Sequence, residues 1–253
     1  KITQHILVAG RSGSGKTNTC LQLLLELNKN EISFIVLDPL DKRDYRLLLG
    51  DNPKGHVPKD DKCLFNTLRI YTLGDSTSPF IFNPFRVPQG ITVKKHISEL
   101  LRCFLTAFVV ADPVPALYRA ALRQVYREHG WKVEEEDKGG HGETMPNFSD
   151  FFSTLQAVVD SRTADYSKEV QSNIRQMTKL RIGSLLEETA DILNVETHEN
   201  DPIQEIIKYP TILELGHIGS DEDKALIMAF LLACLVPAIQ RMLLCATPYL
   251  PTG

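Results

Sequence analysis

Short apolar runs mark both ends of this chain, and helical periods fill its middle. Ile6-Leu7-Val8-Ala9 and Ile32 to Leu37 read as buried strands. Leu68-Arg69-Ile70-Tyr71-Thr72-Leu73 alternates as a third strand should, and Tyr209-Pro210-Thr211-Ile212-Leu213-Glu214-Leu215 is a fourth, carrying one carboxylate. Asn18 to Leu27 reads as a helix between the first two. From about Val93 to Ile207 the apolar positions recur at helical spacing, giving Lys94 to Val110, Val114 to Glu128, Phe148 to Asp160, Tyr166 to Leu186 and a short helix near Ile203. A long helix from about Asp221 to Leu244 follows the last strand. Four or five helices in succession do not fit inside a parallel sheet. The pattern therefore predicts an α/β fold in which 1–93 and 208–253 form the core and 94–207 an all-helical insertion. Residues 50–63 and Glu134 to Gly142 read as surface loops, and Pro79 to Phe85 is too rich in proline for a central strand, so it reads as a covering segment or an edge strand. Asp112-Pro113 reads as a helix start with Asp as its cap.

At 253 residues and 43% hydrophobic the chain can bury a large core, which excludes a disordered segment. Its formal charge of −4 argues against coating nucleic acid by bulk electrostatics, so any such contact is local. Five cysteines form no CxxC pair, and Cys20, Cys103 and Cys234 lie in apolar helical contexts. They read as buried thiols in a reducing, cytoplasmic compartment. No signal peptide opens the sequence, and a start at Lys1 directly before the first strand is expected of an excised domain. The apolar run from Ala225 to Ile239 ends at Gln240-Arg241, short of the ~18 residues that suggest a membrane span, and reads as a core helix. The seven histidines show no HxxxH or HExxH spacing and there is no GxSxG elbow, which leaves zinc and serine-hydrolase chemistry unsupported.

The chemistry lies in Gly10-Arg11-Ser12-Gly13-Ser14-Gly15-Lys16-Thr17, a P-loop pattern placed between an apolar run and a helix. Glycines at 10, 13 and 15 let the backbone reach positive φ and leave no side chain between the amides and an anion. With the positive end of the helix dipole, that nest favours a di- or triphosphate, and Arg11, Ser12, Gly13, Ser14, Gly15, Lys16, Thr17 and Asn18 form the expected ATP/ADP-binding set. Lys16 is expected at the β- and γ-phosphates and the Thr17 hydroxyl on Mg²⁺. Asp38 ends the second strand, at the edge of a parallel sheet where ligands sit. It reads equally as a group beside Mg²⁺ or the attacking water and as an Asp-Pro turn. Arg119, Arg123 and Arg127 recur every four residues as a basic stripe, to be read as a contact to a phosphate backbone, as a contact to a neighbouring subunit, or as a solvated face.

Together these features resemble the HerA/FtsK family of P-loop ATPases, hexameric DNA-translocating motors with a RecA-like core, and within it the HerA-like branch. The resemblance covers most of the chain. It rests on the P-loop, on Phe34-Ile35-Val36-Leu37-Asp38-Pro39, on Phe82-Asn83-Pro84-Phe85 and on the helical insertion, and it extends to Thr211-Ile212-Leu213-Glu214-Leu215 with the helix after it. It implies an ATPase acting on double-stranded DNA, assembled as a homo-hexamer, not in a membrane, and open to a nuclease or defence effector as partner. The implied catalytic set is Lys16, Asp38 and a second acid, for which Asp41 and Asp44 both stand in reach and Asp44 is preferred. Where the family usually follows Asp-Pro with a Gly-Glu-Tyr-like triplet, this chain has Leu40-Asp41-Lys42-Arg43-Asp44-Tyr45. No apolar strand ending in paired acids, the Walker B pattern, occurs after residue 215, and the family's arginine finger lies beyond that motif. The chain is therefore expected to bind ATP and hydrolyse it little. The competing reading makes Glu214 the catalytic carboxylate of a degenerate Walker B. A different P-loop enzyme such as a kinase, and a non-hydrolysing nucleotide-dependent scaffold, are the other functions in view.

Overall fold

A computed structural model describes residues 5–40, 42–49, 67–139, 143–193 and 201–246. Three strands form one parallel sheet among the described residues: β1 (Ile35–Asp38), β2 (Arg69–Thr72) and β3 (Thr211–Glu214), in the order β1-β3-β2. Helix α1 (Lys16–Lys29) precedes β1, and a 3-10 helix (Asp44–Leu49) follows it. Between β2 and β3 run α2 (Val93–Ala107), α3 (Val114–Glu128), α4 (Phe148–Arg162), α5 (Lys168–Leu193) and the short α6 (Pro202–Ile206), and α7 (Asp221–Ala246) closes the described chain.

Side chains alternate across a strand, so the sheet divides the interior in two. Val36, Ile70 and Ile212 pack with Leu21, Leu24 and Leu25 of α1 and Leu48 of the 3-10 helix. Ile35, Leu37, Tyr71 and Leu213 belong to the much larger cluster built by the other helices. That cluster includes Phe104, Tyr118, Phe148, Phe151 and Phe230, which meet ring to ring at centroid distances of 5.1 to 6.5 Å. The segment 94–207 thus shares one core with β3 and α7.

Local chemistry sets the helix starts. Thr92 caps α2 by accepting from the Lys95 amide at 3.3 Å, and Asn147 and Asp150 form a reciprocal capping box on α4. Helix α3 begins where expected, but its first turn takes no side-chain cap and Asp112 does not fill that role.

Two readings of the sequence are corrected. Ile6 to Ala9 joins no strand, and Ile6 and Leu7 are exposed at 66% and 89%. Apolarity alone does not make a strand, because its amides and carbonyls need a neighbour and the described strands pair only with one another. Helix α7 outruns the apolar stretch that marks it, and by length and composition it could cross a membrane over Asp221–Cys245. Leu226, Ile227, Phe230, Leu231 and Leu235 nevertheless bury one side of it in the main core, while Leu232, Val236 and Leu243 remain exposed. Pro79 to Phe85 is a covering segment without strand pairing, and it inserts Phe80, Phe82 and Phe85 into the core.

Candidate functional site

The phosphate loop stands open at the start of α1. Gly13 and Gly15 sit at φ 78° and 87°, the left-handed region that L side chains rarely adopt. A Cβ built on either meets nothing within 4 Å, so the space above both is free. Gly10 differs. A Cβ there would lie 2.5 Å from Ser14 Oγ, so a larger residue at that position would force the serine hydroxyl to turn away. The Ser14 amide donates to the Arg11 carbonyl at 3.2 Å to complete that turn. Gly15 is the N-cap of α1 and supplies no side-chain acceptor, which leaves the first-turn amides of Lys16, Thr17 and Asn18 without the usual cap. A phosphate fits that need, in charge and in hydrogen-bonding capacity. Lys16 folds back over the loop, where Nζ donates to the carbonyls of Gly10 and Arg11 at 2.9 and 2.8 Å. Those are weak neutral partners for an ammonium, readily exchanged for phosphate oxygens.

A row of polar groups lines the carboxyl edge of the sheet. Asp38 is in register with Glu214, and Glu214 with Thr72, so the last residues of all three strands lie side by side. All three are buried. Glu214 is fully committed. Arg46 Nε and Nη2 each donate to one of its carboxylate oxygens at 2.7 Å, and the Thr72 hydroxyl donates to Oε2 at 2.8 Å. Burial pushes the Glu214 carboxyl up, but Arg46 and Thr72 outweigh it and hold the group below its ordinary value. Asp38 is the freer acid. Its carboxylate accepts from the Leu40 amide at 3.2 Å, a local turn, and burial, with Glu214 and Asp44 nearby, raises its pKa. Asp38 makes the Asp-Pro turn, and its position is the carboxyl end of β1.

The 3-10 helix joins this edge to the phosphate loop. Its Leu48 is fully buried beside α1, and Tyr45 packs on the same cluster with its hydroxyl near Cys20 of α1 and within electrostatic reach of Asp38. Burial first, and these neighbours second, push Tyr45 up to about 12. Cys20 is three residues beyond Thr17 and four beyond Lys16, so all three share a face of α1. Tyr45 is thus near both Asp38 and Cys20 of α1, the helix that begins with Lys16 and Thr17. Asp44 opens the 3-10 helix close to Asp38, whereas Asp41 lies outside the described residues.

The basic stripe falls elsewhere, on α3. Arg123 and Arg127 both pair with Glu134, in the turn that follows the helix, and Arg119 is exposed. Glu128 instead accepts from Gln124 and Thr154. Arg46, Thr72 and Tyr45 escaped the sequence reading, although a buried Glu214 on a core strand signals that a cation must meet it.

Residues 1–234 match the family model described as "Helicase HerA, central domain". No curated protein matches the chain significantly. Among solved structures, VirB4 of Thermoanaerobacter pseudethanolicus shares the fold with a TM-score of 0.57 at 17% identity. The match covers 92% of this chain and 56% of that one, so the chain spans a little over half the length of that relative.

Proposed function

The chain belongs to the HerA helicase central-domain family, and from that membership we propose that it is the nucleotide-binding motor domain of a hexameric translocase or helicase acting on double-stranded DNA. One observation carries the reading down to residues. The 3-10 helix that follows Asp38, at the carboxyl edge of the sheet, packs Leu48 and Tyr45 with Leu21, Leu24 and Leu25 of α1, the helix that begins with Lys16 and Thr17.

On this reading the amides from Arg11 to Asn18 bind the phosphates, and Lys16 leaves the Gly10 and Arg11 carbonyls for the β- and γ-phosphate oxygens. Thr17 and Asp38 would hold Mg²⁺, which would supply charge neutralisation to those oxygens. Asp38 orients the attacking water as a carboxylate, and Asp44 is the second acid beside it. Glu214 is poorly suited to that task, because both of its oxygens already accept strong bonds. A cytoplasmic location suits the free thiols of Cys20, Cys103, Cys234 and Cys245.

Calorimetry with ADP and ATP tests the site. Lys16→Ala removes the one lysine folded over the loop and should abolish or strongly weaken binding while the protein stays folded. Unchanged affinity removes the assignment. The ion-paired state of Glu214 also favours a second reading, a nucleotide-dependent scaffold that binds without turnover and serves a nuclease or effector partner. Phosphate release by the purified chain separates the two. Turnover that disappears in Glu214→Gln would make Glu214 the catalytic carboxylate after all.

A further inference from the structure

At the carboxyl edge of the sheet Arg46 forks onto the buried Glu214, and the nucleotide chemistry described above makes no direct use of that pair. Both bonds measure 2.7 Å, and Arg46 Nη2 also reaches the Thr72 hydroxyl at 3.2 Å, so one guanidinium grips the ends of β3 and β2 together. Arg46 belongs to the 3-10 helix, next to Tyr45 and two residues from Asp44. That helix is also attached through Leu48 in the small core and through Tyr45, which packs on the same core near Cys20 of α1. Arg46 is the only one of the three attachments made by charge. It also settles an electrostatic conflict. Asp38 and Glu214 are buried neighbours on adjacent strands, and without a cation two ionised carboxylates there would repel.

We propose that Arg46 is a positioning residue for the nucleotide site: by clamping Glu214 and Thr72 it docks the 3-10 helix against α1, and so holds Asp38 and Asp44 beside the metal-binding face of the phosphate loop. The proposal rests on the nucleotide reading. It adds that the arrangement of the acids depends on a partner 168 positions away in sequence. The clamp touches neither phosphate nor loop, so its loss acts on the metal-dependent part of binding and spares the amide nest.

The test uses the whole chain as parent, Arg46→Met, Arg46→Lys and the double variant Arg46→Met/Glu214→Leu. One readout is ADP affinity by calorimetry with Mg²⁺ and with chelator. The other is the rate at which iodoacetamide alkylates Cys20, followed by mass spectrometry on the nucleotide-free protein. Loss of a supporting residue of this kind costs about tenfold in metal-dependent affinity, so Arg46→Met should erase about that much of the gain Mg²⁺ gives and leave chelator affinity within about threefold. Cys20 should alkylate faster as Tyr45 leaves it. Arg46→Lys keeps the charge, loses the fork and should fall between. The double variant removes the unpaired buried charge and should recover thermal stability, but not the Mg²⁺ gain or the slow alkylation. If the double variant regains all three, Arg46 serves charge balance alone and the proposal fails. Unchanged Cys20 alkylation in Arg46→Met overturns it as well, whether or not nucleotide binds. Failure of the parent chain to bind ADP overturns the nucleotide reading, and the alkylation result then decides whether the clamp positions the 3-10 helix at all.

Discussion

Gly15 carries two demands at once: its φ of 87° belongs to glycine, and as the N-cap of α1 it leaves the first-turn amides to an incoming anion. Gly15→Ala meets no neighbour within 4 Å, so its cost is conformational, about 1 to 2 kcal/mol for an L residue in that region. Thermal unfolding should show a loss of that size, and ADP affinity measured on the folded variant should drop as the amides turn away. The two carboxylates of the sheet edge predict opposite responses to substitution. Glu214 is held below its ordinary value, so its contribution to stability is present above the unfolded pKa and is lost as pH falls through the folded one. Asp38 is raised, so its contribution is full at low pH and is lost as pH rises through its folded pKa. Glu214→Gln should therefore lower the melting temperature at pH 7.5, and Asp38→Asn should raise it while weakening Mg²⁺-dependent nucleotide binding. A drop for Asp38→Asn would mean that the residue serves the turn at Leu40 and not the ligand. The shape of the loop was legible in the sequence because it is local: glycines at 13 and 15 take positive φ and α1 starts at Lys16. The Arg46–Glu214 pair was not, because nothing in a sequence pattern marks which distant arginine meets a buried carboxylate.

Elements were legible where a periodic face and its burial agree. Helix α3 lies at the expected residues, and the second, third and fourth apolar runs became the three strands, because each had a neighbouring strand or core to receive it. The run at Ile6 to Ala9 shows the limit of the pattern, since pairing is a property of two segments and the pattern reports one. The Asn83-Pro84-Phe85 segment shows what proline-rich stretches can do instead. Asn83 turns the chain by accepting from the Phe85 amide at 2.9 Å and ties it to the Pro146 carbonyl at 2.8 Å. His96 of α2 then reaches the Pro84 carbonyl at 3.0 Å, and Tyr126 of α3 donates to the Phe85 carbonyl at 2.5 Å. Burial drives the His96 pKa from 6.5 down to about 4, so it is neutral at pH 7 and its Nε2–H donates to Pro84. The unfolded chain takes up a proton below 6.5 while the folded chain resists until about 4, so stability drains across that window by an amount on the order of 3 kcal/mol. His96→Gln offers a donor without the titration. Its melting temperature should be lower than the parent's at pH 7.5 and fall less steeply between pH 6.5 and 4. An identical slope would place the acid sensitivity elsewhere.

At the scale of the molecule, the question is whether a chain with net charge −4 offers DNA a local basic surface. The α3 stripe is a regular array of cations, and the structure gives it a competitor, since Glu134 pairs with Arg123 and Arg127 at once. All three partners are at least partly solvated, and pairs of that kind are worth little, so a phosphate backbone could displace the carboxylate at small cost. Glu134 is held below its ordinary value by the two arginines and stays charged at any pH relevant to binding, so it remains a competitor throughout. Two variants then move in opposite directions if the stripe meets DNA. Arg119→Gln removes the exposed cation and, where it neutralises one phosphate, should reduce the slope of log affinity against log salt by about 0.7 to 0.9. Glu134→Gln frees two cations from their internal partner and should tighten binding most at low salt, where counterion release contributes most. If the stripe instead faces another subunit, the same substitutions change the oligomer distribution in sedimentation and leave the salt slope alone. A stripe that is only a solvated face changes neither, because two arginines sharing one glutamate are then simply paired surface charge.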